Sequence, residues 1–141
     1  MNMFKCMAIS IVAAMGLIFC STVSAQQKPG DAEAEKKMDE FIQKQVEHFE
    51  TTLKLESWQT FYVDSIMNHD FRAMQDELNS LSSSKVSNAD IYIMTQDKWN
   101  DQMYGSFKKV LNDAQWEKYL KMGAARDKKS RDKRKAKSEG K

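Results

Sequence analysis

The chain has little of what enzymes and disulfide scaffolds are built from. Its 141 residues include two cysteines, two histidines, one proline and five glycines. Both cysteines, Cys6 and Cys20, fall within the first twenty residues. The rest of the chain has no thiol, which excludes disulfides, cysteine metal ligands and thiol nucleophiles there and leaves stability to packing. The single proline, Pro29, leaves everything after it free of the strongest helix breaker. No Gly-rich phosphate loop, G-x-S-x-G or H-E-x-x-H string occurs. No catalytic residue, cofactor or metal is therefore expected. The nearest approach to a metal site is "VEHFE" (46–50), with Glu47, His48 and Glu50, and "NHD" (68–70), with His69 beside Asp70. Adjacent residues do not share a helix face, so neither cluster makes a site alone. His48 reads as solvent-facing and His69 as lying at the edge of a core.

The first 25 residues read as an export signal. Lys5 supplies the positive start, "AISIVAAMGLIFC" (8–20) an uncharged apolar core, and "VSA" (23–25) the small residues before cleavage. A periplasmic protein cut after Ala25 is expected. The near-neutral net charge then hides an asymmetry. Residues 126–141 hold nine Lys/Arg against three Asp/Glu, whereas 26–125 hold twelve against seventeen. An acidic body with a basic tail points to contact with acidic surfaces, acidic clients or anionic membranes. Nucleic acid is not expected, because no recognised module accompanies the tail.

No stretch alternates polar and apolar residues in the manner of a strand, and helical spacing is clear. Met38, Phe41, Ile42, Val46, Phe49 and Leu53 mark one amphipathic helix over roughly 31–53. A second, over roughly 57–81, carries two neighbouring stripes. One is Trp58, Tyr62, Ile66, His69 and Ala73; the other is Val63, Met67, Phe71, Met74, Leu78 and Leu81. Together they form an apolar arc wide enough to cover a core and still meet a partner. The serine-rich "NSLSSSKVSN" (79–88) reads as the main loop. Tyr92, Trp99, Met103, Phe107 and Val110 mark a third helix, and Trp116, Tyr119 and Leu120 a fourth. The fold class is all-α, three to four helices in an extended hairpin or bundle, forming a homodimer after signal cleavage. The organisation is 1–25 signal peptide, 26–125 helical domain, and 126–141 basic tail, either a helical extension or disordered.

Two helix starts share a string: "LESWQ" (55–59) and "LNDAQ" (111–115). In the second, Asn112 can cap the helix, Gln115 can reach back to the cap's N–H, and Leu111 can staple the entry. In the first, Glu56 takes the cap position, or Ser57 caps one residue later. With the export signal and the helix-rich, basic end, Leu55 to Gln59 and Leu111 to Gln115 resemble the LTxxQ motif of the Spy/CpxP-like family of periplasmic proteins. Glu56 and Asn112 stand where that family has threonine. The resemblance implies an all-α dimer that binds unfolding proteins without ATP and protects the envelope under stress. The same family fold also hosts metal-responsive sensors.

The expected function is thus non-enzymatic: an ATP-independent periplasmic chaperone or envelope-stress holdase whose partners are unfolded or partly folded clients. Val63, Met67, Phe71 and Met74 are the candidate client contacts, and flexible methionines suit varied partners. The alternative is a regulatory or structural interaction protein of the envelope with one defined partner. A chaperone protects several unrelated clients, whereas a dedicated adaptor protects none and binds one partner tightly.

Overall fold

The computed structural model describes residues 29–140. The expected signal at 1–25 lies outside them. Helices α1 (Pro29–Leu53), α2 (Ser57–Ser83), α3 (Ala89–Val110) and α4 (Asp113–Tyr119) follow in order. A π-helical turn, Leu120–Ala124, then joins α4 to α5 (Ala125–Glu139) as one kinked helix. No strand occurs among the described residues, so the fold is all-α as the sequence predicts.

The turns explain where the long helices stop. Lys54 sits in the left-handed region at φ 54°, which lets the Leu55 N–H reach back to the Glu50 carbonyl at 3.1 Å. Lys85, at φ 55°, does the same at the end of α2, where Val86 N–H meets the Leu81 carbonyl at 3.1 Å. These are helix-ending turns of the kind usually completed by glycine. The Tyr92 hydroxyl donates to the Val86 carbonyl at 2.8 Å and fixes the second turn to α3. Asn88 caps α3 by accepting from Asp90 N–H at 2.9 Å. The serine-rich stretch is less of a loop than expected. The Ser83 hydroxyl bonds back to the Asn79 carbonyl at 2.9 Å, α2 runs on to Ser83, and the break is confined to 84–88.

The middle helix, α2, runs antiparallel to both neighbours. Arg72 pairs with Glu35 at 3.2 Å and with Asp39 on α1, while the Trp99 indole donates to Glu77 at 2.7 Å across to α3. The core gathers where α1 ends, α2 starts and α3 meets α4. Ile42, Val46, Leu53, Val63, Met67, Met103, Phe107 and Leu111 are buried there. Phe49 packs edge-on against Phe107 and Tyr119, with centroids at 5.7 and 5.8 Å. Such edge-to-face pairs add about 0.5–1.5 kcal/mol to the area they bury. Away from this end α2 and α3 continue as an arm flanked by the start of α1 and by the chain's last helix, and apolar side chains on the arm, Ile91, Ile93 and Met94, stay exposed. No helix among the described residues is long and apolar enough to cross a membrane.

The basic tail folds back. Its helix α5 lies antiparallel to α3, with Arg131 Nε on Asp101 at 2.7 Å and Arg134 on both oxygens of Asp97 at 2.6 and 2.7 Å. Part of the sequence's charge asymmetry is therefore neutralised within the chain. Gly123 makes the kink that allows it, at φ 125°. A side chain there would be strained whatever the space around it.

Candidate functional site

The two glutamines of the repeated string meet. Gln59 Nε2 donates to Gln115 Oε1 at 2.7 Å, and Gln115 Nε2 donates to Gln59 Oε1 at 2.9 Å. Each oxygen also accepts the N–H of its own cap residue, Glu56 or Asn112, at 3.0 Å. Each amide nitrogen further donates to the carbonyl just before the other string's leucine: Gln59 to Val110 at 2.9 Å, Gln115 to Lys54 at 3.3 Å. The two strings are thus related by a local two-fold. Both amides use both donors and both acceptor positions, so two buried polar groups carry no unmet demand. Leu111 is buried, and Leu55 packs partly buried against the same core. Asn112 caps α4 from its side chain, accepting Gln115 N–H at 2.9 Å. In the first string Glu56, with extended backbone, holds the cap position and Ser57 is the first helical residue. The strings are more than helix starts: they join two turns at one point.

The candidate client contacts sit elsewhere than expected. Val63, Met67 and Met74 are buried, and Phe71 is half-buried edge-on against Phe41 at 5.5 Å. The reason is that α2 has a neighbour on each side, so the half of its arc that holds Gln59, Val63, Met67, Asp70 and Met74 is covered. In this fold those four residues are packing residues, not a free surface.

The other half of the arc is open at its start, whereas Ile66 further along packs partly buried against the core. Trp58, Phe61 and Tyr62 are 51, 68 and 52% exposed at the start of α2. Tyr62 meets Trp58 and Phe61 edge-on, with centroids at 6.2 and 5.7 Å. The Glu56 carboxylate accepts the Trp58 indole N–H at 2.8 Å and sets the ring's orientation. Phe61 lies outside both stripes drawn from the sequence. The signal that marks it is the 58, 61, 62 spacing, which puts three aromatics on one helix face.

The sequence's metal candidates come no closer together. His48 is exposed on α1. The His69 ring is largely exposed on α2, where its Nδ1 lies 2.8 Å from Asp70 Oδ1. Asp70 is buried and also accepts from Gln102 Nε2 at 2.8 Å, and its Oδ2 has no partner among the described residues. No group of three or more metal-ligating side chains forms among the described residues.

Electrostatics adds two local features. Hydrogen bonds from Lys98 and Trp99 hold the Glu77 carboxyl below its usual range. Burial pushes the Tyr119 phenol up to about 12, against the opposing pull of Arg131. No protein-family profile, curated protein or solved structure matches this chain.

Proposed function

We propose that the chain is an ATP-independent, non-enzymatic holdase of the bacterial envelope, exported by its first 25 residues and working as a homodimer. The observation that carries this reading is the open aromatic face of Trp58, Phe61 and Tyr62. Three large aromatics are kept in water on a helix start that the glutamine pair anchors. Exposed aromatics on a rigid element give contact area at low entropic cost, and they accept many sequences. Exposed Ile91, Ile93 and Met94 on the α2–α3 arm offer a second apolar contact for an extended client. Charged residues around both sites guide encounter and keep release possible. The resemblance of the two strings to the LTxxQ motif supports the same reading.

The test is light scattering from unrelated proteins during chemical unfolding, with chain 26–141 at near-equal concentration and no ATP. Scattering falls for several clients. Phe61→Ser with Tyr62→Ser, both outside the core, abolishes the effect while leaving helicity unchanged. Protection of no client, with tight binding of one partner, would replace this reading with a dedicated adaptor.

A further inference from the structure

The packing of α5 on α3 encloses a cleft of about 330 Å³ near the Gly123 kink. Tyr104 and Tyr119 line it together with Arg126, Arg131 and Arg134. Arg131 is the informative residue. It is only 9% exposed, and its guanidinium carbon stands 5.9 Å from the centre of the Tyr104 ring. Its Nε is committed to Asp101. Its two terminal nitrogens take no hydrogen-bond partner among the described residues, and neither do the hydroxyls of Tyr104 and Tyr119. Arginine has no acceptor and carries five N–H groups in a planar fork, so a sheltered edge of that fork selects a planar anion.

The carboxylates at the cleft are already engaged. Both oxygens of Asp97 are held by Arg134. Asp127 is approached by Arg126 at 3.4 Å through two nitrogens. Behind the cleft, Asp101 is shared between Arg131 and Lys128, the latter at 3.6 Å, and Lys128 also bonds Asp132. The lining itself holds three guanidinium groups and two carboxylates. With Lys128, Asp101 and Asp132 behind it, four cations stand against four carboxylates, a balance that suits a monoanion better than a phosphate dianion. The aromatic walls suit an apolar body behind the charge.

We propose that this cleft binds a carboxylate borne on an apolar or aromatic body, with the free edge of Arg131 taking the two oxygens and a tyrosine hydroxyl donating a further bond. Two sources share this chemistry: a free organic acid and the C-terminal carboxylate of a polypeptide. The raised Tyr119 pKa is consistent, since the phenol stays a proton donor across the physiological range. The site does not depend on the holdase reading, because it faces α3 and α5 and not the aromatic face of α2.

The experiment titrates chain 26–141 with N-acetyl-phenylalanine, its uncharged amide, a short peptide ending in a free phenylalanine, the same peptide amidated, and inorganic phosphate. The Arg131 Nε–H resonance and the emission of Trp116, which meets Tyr104 edge-on at 4.8 Å, report occupancy. At least one free acid shifts both signals saturably, and its amide binds about tenfold weaker or worse. Response to the small acid alone identifies a free organic acid, and response to the peptide alone identifies chain ends. Arg131→Lys, which keeps the charge but loses the fork, weakens binding about tenfold. Tyr119→Phe, which leaves Arg131 and its ion pair in place, weakens it about threefold. Equal binding of acid and amide, phosphate binding as tight as the acid's, or no saturable shift overturns the proposal.

Discussion

Replacing Gln59 by alanine would strand the Glu56 N–H, the Val110 carbonyl and half of Gln115 in a buried place. Each such group costs about 1–3 kcal/mol, so Gln59→Ala should destabilise by about 2–4 kcal/mol in urea unfolding. Gln115→Ala should cost a similar amount, and the double variant less than the sum, with a coupling of about 1–2 kcal/mol. Additive losses would mean that the two amides act separately. Gln59→Glu puts a carboxylate against the Val110 carbonyl, so burial raises its folded pKa. Its stability should therefore be best in acid and fall as pH rises through the carboxylate range. Tyr119 offers a second residue-scale test. Its folded pKa, about 12, lies above the unfolded value. The stability it contributes is full below about pH 10 and lost as pH climbs toward 12. Tyr119→Phe should flatten that part of the stability–pH curve relative to the parent chain.

At the scale of elements, the helix ends carry strain that a single substitution can relieve or create. Lys54 and Lys85 occupy left-handed positions. That conformation costs an L-residue about 1–2 kcal/mol, and glycine returns part of the gain through unfolded-chain entropy. Lys54→Gly and Lys85→Gly should each raise stability by up to about 1 kcal/mol in thermal or urea unfolding. Gly123→Ala runs the other way, with an expected loss of about 1–2 kcal/mol and a redirected α5 visible as altered Trp116 emission. These positions also show where the sequence was legible. Helical spacing located α1 to α4 because each carries an apolar stripe: Ile42 and Val46, Val63 and Met67, Met103 and Phe107, Trp116 and Tyr119. The capping box at Asn112–Gln115 was legible because it is local. The end of α2 is not legible, because serine side chains can bond back onto a helix as readily as leave it, and only the chain beyond Ser83 decides between them.

For the whole molecule, the contacts that matter are the ones sequence spacing does not encode. Nothing local tells that Gln59 meets Gln115, that Arg131 is buried over Tyr104, or that Trp58 and Tyr62 stay wet while Val63, Met67 and Met74 do not. Each depends on which helices flank which, a choice made by all the stripes together. The two long-range joints differ in kind. The glutamine pair is neutral and buried, whereas α5 is held on α3 largely by Arg131, Arg134 and Lys128 against Asp97 and Asp101. Screening at about 1 M salt shortens the reach of charge to about 3 Å. Hydrogen exchange of α5 amides should therefore quicken between about 0.05 and 1 M salt, while amides in the first turns of α2 keep their protection. Unchanged protection of α5 across that range would mean that the tail's docking is chiefly apolar.

The distribution of sulfur has a consequence of its own. Met67 and Met103 sit in the core, whereas Met94 stands 48% exposed on the α2–α3 arm. A thioether gains oxygen from peroxide only where the oxidant can reach it, and the product is polar. With no thiol among the described residues to intercept the oxidant, Met94 should become the sulfoxide first, at a rate set by peroxide alone. Met67 and Met103 should oxidise only when the helices part. Mass spectrometry of the chain under mild peroxide would thus read two clocks, one ticking with exposure and the other with how often the fold opens.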